Sequence, residues 1–304
     1  MKVADLGAAE LGARLKGSGL YLRTGPFVSR IRSSISSVSE GIGLLYADYP
    51  LAEQNDFADF HVGLSRPPTV RRWFHPQAVF DFDGHVPFKP LPLDQAYPLF
   101  EWGLNWCVSS HAHQYLMIHA AVIERDGHAA ILPAPPGSGK STLCAALVNR
   151  GWRLLSDELA LIRRNDGYAV PLPRPVSLKN ESIGVIRGFE PSAVINREVR
   201  DTIKGTVAHM KPPTDSVSRA NETAKPAWVI FPRYRKGAAA SLQTRSKGGA
   251  LMAVADNAFN YSLLGLAGFH MLADMIHACD CHDFSYGDLD QAVEAFSALQ
   301  PPAP

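Results

Sequence analysis

The chain is short of several things at once. No stretch approaches the ~18–20 continuous apolar residues that a membrane-spanning helix needs. The richest late segment, Tyr261 to Ala273, is short and interrupted by His270. Residues Met1 to Lys16 carry Asp5 and Glu10 and lack an apolar run followed by a small-residue cleavage site, so no secretory signal is expected. Cysteine is scarce. Cys107, Cys144, Cys279 and Cys281 are scattered along the chain, a usage that fits a reducing compartment rather than a disulfide framework. Neither sign of charge is in excess, with 30 Lys and Arg against 29 Asp and Glu. Nucleic acid has no global electrostatic footprint to meet, and any phosphate binding has to be local. The expectation is a cytoplasmic protein with neither a membrane nor a nucleic acid as partner.

What is present is core material. The 304 residues are 46% apolar and 19% charged, enough for one or two packed domains and too apolar for a mostly disordered chain. Residues 1–112 read as an α+β region. Leu6 to Leu15 predicts a short helix, Leu20 to Ile31 a strand, Ser33 to Tyr46 a helix, and Phe60–Leu64 and Val79–Phe82 further strands. The last of these leads into the turn dipeptide Asp83-Gly84. Tyr97 to Val108 predicts a helix with Phe100, Leu104 and Cys107 on one face.

The pattern sharpens after Gln114. Leu116 to Arg125 and His128 to Pro133 predict strands joined by a turn at Asp126-Gly127. A Gly-containing loop, Ala134 to Gly139, leads into a helix from Lys140 to Arg150, and Gly151 stands where a helix ends. Arg153 to Ser156 is another apolar strand, closed by Asp157-Glu158. Strand, loop, helix, strand is the beginning of an α/β core, and residues 113–304 are expected to carry it.

The segment Ala134-Pro-Pro-Gly-Ser-Gly-Lys-Ser141 fits the phosphate-loop pattern, with Ala134 in place of the usual first glycine. A turn at a helix start presents successive amide N–H groups to phosphate oxygens, helped by the positive end of the helix dipole. Pro135 and Pro136 have no N–H, so the cradle falls to Gly137, Ser138, Gly139, Lys140, Ser141 and Thr142. Lys140 is expected to reach the outer phosphates of ATP and the Ser141 hydroxyl to bind Mg²⁺. Asp157 and Glu158 lie at the carboxyl end of a strand, the side on which such sheets bind ligands. One is expected at the metal and the other as acceptor of a proton from an attacking hydroxyl. The metal set is therefore Ser141, Asp157 and Glu158.

From His119 to Glu158 the chain resembles HPr kinase/phosphorylase, the bacterial serine kinase of a phosphocarrier protein, and within it the subgroup called HprK-related kinase A. The histidine falls twenty-one positions before the loop lysine, Gly127 eight positions after that histidine, and Arg150-Gly151-Trp152-Arg153-Leu154 precedes the paired acids at the family's spacing. The resemblance implies a phosphoenolpyruvate carboxykinase-like P-loop kinase core. It also implies Asp157 as catalytic acid and base with His119 beside it and Lys140 at the phosphates, a serine of a protein or peptide as phosphoacceptor, and a homo-oligomer. Leu178 to Gly184 is the nearest counterpart of a family segment whose glutamate helps to bind metal; here Lys179 stands at that position and Glu181 two residues on.

Beyond the loop, Arg174 and Lys179 are cations for phosphate or for plain solvent. Asn196 to Pro213, with Arg197, Arg200, Lys204, His209 and Lys211, reads either as a mobile basic lid or as a solvated charged helix. Trp228 to Pro232 predicts a strand with Arg233 at its end. From Gly249 a helix is expected with Met252, Ala255 and Phe259 on one face, and a last helix from Leu289 to Leu299. His277, Cys279, Cys281 and His282 lack the spacing of a structural zinc site and read as buried thiols beside surface histidines. The leading expectation is a Mg²⁺·ATP-dependent kinase acting on a hydroxyl. A nucleotide-binding regulator with weak ATPase activity and a small-molecule kinase are the alternatives.

Overall fold

A computed structural model describes residues 1–53, 56–67 and 74–302. The first part of the chain folds as α1 (Ala8–Lys16), β1 (Leu20–Thr24), β2 (Phe27–Ser33), α2 (Ser36–Leu45), β3 (Phe60–Ser65), β4 (Gln77–Phe82), β5 (Leu91–Pro92) and α3 (Ala96–His111). Its five strands form one sheet in the order β1-β2-β3-β4-β5, with β2 and β3 parallel and the other pairs antiparallel. The strand expected over Leu20–Ile31 is instead a hairpin. It turns at Gly25-Pro26, where Gly25 takes φ +53° and a Cβ would stand 2.2 Å from the Pro171 carbonyl oxygen. Only glycine fits there, and the hairpin tip is pressed against the segment that leads to Arg174.

The second part continues as β6 (Tyr115–Arg125), β7 (His128–Pro133), α4 (Lys140–Val148), β8 (Arg153–Ser156), β9 (Leu159–Arg163), β10 (Ala169–Val170), β11 (Val176–Lys179), α5 (Glu181–Phe189), β12 (Val199–Thr202), β13 (Gly205–Met210) and α6 (Thr214–Ser218). It closes with β14 (Lys225–Tyr234), β15 (Ser241–Thr244), α7 (Lys247–Asp256), α8 (Tyr261–Ala278), β16 (Asp280–Tyr286) and α9 (Leu289–Ser297). The large sheet runs β10-β9-β6-β7-β14-β16-β15, with β8 also paired to β6. Its centre is parallel, β7 beside β14 beside β16. The chain is thus a mixed α/β protein.

Central parallel strands need cover on both faces, and β7 is accordingly buried from Ala129 to Pro133. One face carries α4 and α9 through Leu143, Leu147 and Phe296. The other carries α7 and α8 through Ala250, Val254 and Leu272. The core of the first part extends across residue 112, since Phe100 and Leu104 of α3 share a cluster with Met117, Leu159 and Leu161. Helix α3 therefore shares a core with β6 and with β9, the strand that follows the paired acids.

Two further expectations are corrected. Residues 196–213 are neither a lid nor a helix: β12 and β13 form a hairpin that pairs with β11 in a three-stranded sheet, so backbone hydrogen bonds hold the segment. The late helix is broken near Asn257 into α7 and α8; Ala250 and Val254 face the core, Met252 on the same helix is exposed, and Phe259 is exposed in the connection to α8. No helix among the described residues is long and apolar enough to cross a membrane.

Candidate functional site

The loop between β7 and α4 is held from behind. Gly137 and Gly139 take φ values of +84° and +89°, conformations that side-chain-bearing residues resist. At Gly139 a Cβ would lie 2.5 Å from the Tyr286 hydroxyl and 2.8 Å from Tyr234 Cβ. Tyr286, at the end of β16, donates its hydroxyl to the Gly139 carbonyl at 2.9 Å, and the Tyr234 amide, at the end of β14, donates to the Ser138 carbonyl at 2.8 Å. These carbonyls are thereby drawn toward the sheet. The amides of Lys140, Ser141 and Thr142 open the helix, where no intrahelical acceptor exists for them. Ser141 and Thr142 are half-buried, and the Ser138 Oγ is buried with no partner in the protein.

Lys140 is 8% exposed and its Nζ has no hydrogen-bond partner among the described residues. Burial lowers its pKa against the opposing pull of the Asp157 and Glu158 carboxylates. A buried ammonium without a partner is costly, and an anion at this point would relieve it.

The two acids diverge. Asp157, 5% exposed, accepts from the Ser177 amide of β11 at 3.0 Å through Oδ2, while its Oδ1 has no partner. Burial, and then the neighbouring Glu158 charge, push its pKa up to about 6. Glu158 points toward α3, where Oε2 accepts from Asn105 Nδ2 at 2.5 Å; Lys179 Nζ lies 4.0 Å from Oε1. Burial would raise the Glu158 pKa, but Lys204, Lys179 and Lys140 outweigh it and hold the carboxyl below its ordinary value. His119 donates its amide to the Asn257 carbonyl at 2.7 Å, and its ring packs 5.8 Å from Phe259. Burial, followed by the Lys140 charge, lowers its pKa to about 4, so the ring is neutral at pH 7.

Beside Asp157 lies a cavity of about 20 Å³. Trp102 of α3, Ser177 of β11 and His209 of β13 line it, together with Glu101, Asn105, Glu158 and Arg174. Trp102 Nε1, Ser177 Oγ and both ring nitrogens of His209 are buried without partners among the described residues. His209 is 1% exposed, its ring set edge-on to Tyr97 at 5.4 Å, and burial holds its pKa near 4. Along the Glu101 and Arg174 side of the same cavity the polar groups are saturated. Arg174 donates to Glu101 Oε2 at 2.5 Å, to the Glu101 carbonyl at 2.9 Å and to Asn105 Oδ1 at 2.6 Å. Glu101 also accepts from the hydroxyls of Tyr97 at 2.6 Å and Tyr46 at 2.9 Å. This buried strut fixes α3 to the chain between β10 and β11.

The sequence reading places the loop residues, Lys140, Asp157, Glu158 and His119 at one site, and the fold brings the charged members within electrostatic reach of one another. Arg174 is a different matter: it belongs to the strut, with Glu101 as its ion partner. Glu181 begins α5 exposed to solvent, away from the cavity. Lys204, on the β12–β13 turn, lays its ammonium over the Trp102 ring at 4.9 Å. The α3 contribution escaped the sequence reading. Its one local signal is Glu101 and Asn105, polar residues four apart on a helix that otherwise buries apolar side chains. Among the described residues no group of three or more His, Cys, Asp or Glu side chains gathers as a metal cluster.

Comparison with known families changes the relationship expected above. The model described as SynChlorMet cassette protein ScmC matches residues 103–193, under a third of the chain. That segment contains every anchor on which the resemblance to HPr kinase/phosphorylase was read, and the match is to ScmC instead. The anchors themselves explain the error. Gly127 is the positive-φ turn between β6 and β7, and Gly151 the positive-φ end of α4. Arg153 is ion-paired to buried Glu124, and Leu154 is core. They report local packing around the loop. No curated protein matches the chain.

Proposed function

We propose that the chain is a Mg²⁺·ATP-dependent phosphotransferase acting on a hydroxyl, most simply that of a protein or peptide, with residues 113–304 as its P-loop core. One observation carries this reading. Seven of the ten buried side-chain nitrogen and oxygen atoms that lack a partner among the described residues belong to the loop and the cavity beside Asp157. Native proteins pair nearly all such atoms, so a cluster of exceptions marks groups kept for something that binds.

The residues present fit the proposed ligands. Lys140 Nζ and Ser138 Oγ offer donors to phosphate oxygens beside the free amides at the start of α4, and the Ser141 hydroxyl suits a hard cation that keeps several waters, which leaves Asp157 Oδ1 free for the acceptor. Bound Mg²⁺·ATP supplies the transferable phosphoryl group and the means of neutralising its charge. Lys140 holds positive charge at the phosphates. Asp157 Oδ1 takes the acceptor's proton, a role that suits a carboxyl ionised above about pH 6. His119, neutral at pH 7, serves as a hydrogen-bonding neighbour rather than an acid.

A second reading, a nucleotide-binding regulator with weak ATPase activity, is favoured by Glu158, which is already engaged by Asn105 and Lys179. Incubating the purified protein with γ-labelled ATP and a cell lysate separates the two. Label in a protein or peptide, lost in Asp157→Asn, is the expected result. Label released only as inorganic phosphate, at a rate that no lysate fraction changes, favours the regulator.

A further inference from the structure

The cavity beside Asp157 has a composition of its own. Trp102 Nε1 only donates and an ionised Asp157 Oδ1 only accepts, while Ser177 Oγ and the neutral His209 ring do both. We infer that this cavity is the subsite for the acceptor's hydroxyl, and that Trp102 and His209 restrict it to a serine-sized alcohol. The inference rests on the phosphotransferase reading above and names its substrate class.

Chemistry selects the class. A hydroxyl donates one hydrogen bond and accepts others, so it can satisfy Asp157 Oδ1 and Trp102 Nε1 together. A carboxylate accepts only, and would face the charges of Asp157 and Glu158, while the donors of Arg174, which also lines the cavity, are already spent on Glu101 and Asn105. An ammonium donates only, and would leave the indole N–H unpaired. Size narrows it further. About 20 Å³ admits a water-sized group, the scale of a hydroxymethyl end, and excludes a phenol ring. The walls resist enlargement, because α3 is anchored by the Glu101–Arg174 pair and His209 packs against Tyr97. In the transfer, the acceptor's O–H bond breaks and its proton goes to Asp157 Oδ1. The oxygen bonds to the γ-phosphorus as the bond from that phosphorus to the β-phosphate oxygen breaks, its electron pair leaving on ADP.

The test follows the indole N–H directly. The chain has five tryptophans, and the Trp102 side-chain signal in a ¹H–¹⁵N spectrum is the one missing from Trp102→Phe. The full-length protein is titrated with N-acetyl-L-serinamide, free L-serine and N-acetyl-L-tyrosinamide. The Trp102 signal is expected to shift with one or both serine probes and not with the tyrosine probe. The serinamide arm reports a peptide side chain and the free-serine arm a small-molecule acceptor. His209→Phe is expected to weaken the shift at least about tenfold, the effect of one buried hydrogen bond to the probe; should that variant not fold, Ser177→Ala takes its place. No shift with either serine probe, an equal shift with the tyrosine probe, or a shift indifferent to both variants overturns the inference and leaves ordered water as the cavity's content. Binding of a fluorescent ATP analogue, measured on the same samples, reports the nucleotide site separately. Its absence sinks the phosphotransferase reading whatever the Trp102 signal does.

Discussion

Two buried polar clusters meet at α3, and they are built on opposite terms. Around Glu101 the carboxylate, guanidinium, amide and phenol groups answer one another, and no atom of Glu101 or Arg174 is left over. Around Lys140 and Asp157, with Glu101 and Arg174 lining the same cavity, a cation, a carboxylate oxygen, two hydroxyls, an indole and an imidazole are buried without partners among the described residues. Both clusters hold charge out of water, so burial alone does not separate scaffold from site. Saturation does. A closed network costs little to keep and much to break, whereas open groups cost stability continuously until something binds. The comparison also explains why the strut lies where it does: it holds α3 rigid at the wall of the open cavity.

Four substitutions would break or sharpen this contrast. Lys140→Ala is expected to lower phosphoryl transfer about 10³- to 10⁵-fold, or about 4–7 kcal/mol in the barrier, without loss of thermal stability. A melting temperature that falls with activity would put Lys140 in the scaffold instead. Arg174→Ala leaves Glu101 charged and unpaired, and is expected to cost ~3–5 kcal/mol of folding stability in urea titration. A loss under ~1 kcal/mol would show that the strut is not closed.

Asp157→Asn is expected to abolish transfer yet stabilise the protein by ~1–3 kcal/mol at pH 7. The sign follows from a folded-state pKa of about 6, above the ordinary value of 3.8. The folded protein holds that proton more tightly than the unfolded chain does, so stability is lost as pH rises between the two values. Asparagine escapes that loss, and its advantage should vanish near pH 4 in matched denaturation curves. An advantage independent of pH would refute the account. Lys204→Ala, on an exposed turn, is expected to change stability by no more than ~0.5 kcal/mol. It should raise the pKa of Glu158 by removing the first of the lysines that lower it, a shift readable by carboxyl-carbon NMR.

Much of the candidate site was legible in the chain because its chemistry is local. Gly137, Gly139 and Lys140 have to fall at their spacing for a strand to turn into a helix with its amides exposed, and Asp157-Glu158 closes the next strand. The Asp126-Gly127 turn and the helix end at Gly151 were legible for the same reason: both need positive φ, which restricts the residue types. The misreadings are non-local. The basic run from Arg197 to Lys211 read as a mobile lid or a solvated charged helix, but strand pairing with β11 buries His209. Met252 and Phe259 fit a helical stripe, but α7 turns Ala250 and Val254 to the core and leaves Met252 in solvent, and Phe259 falls in the break before α8, where it remains 50% exposed. The family resemblance failed in its own way, since turn glycines and a buried arginine recur wherever this local packing does.

By itself the sequence determined a glycine-containing strand–turn–helix with paired acids after it, in an α/β chain of balanced charge. Backbone conformation at glycine and the order of polar and apolar residues act over a few positions, and they leave a written pattern. Tertiary structure alone decided which buried groups are paired. Arg174 meets Glu101 across 73 positions, and Asp157 meets the Ser177 amide across 20. Whether a side chain ends up saturated depends on neighbours that no local pattern names, and that is the property that divides strut from site.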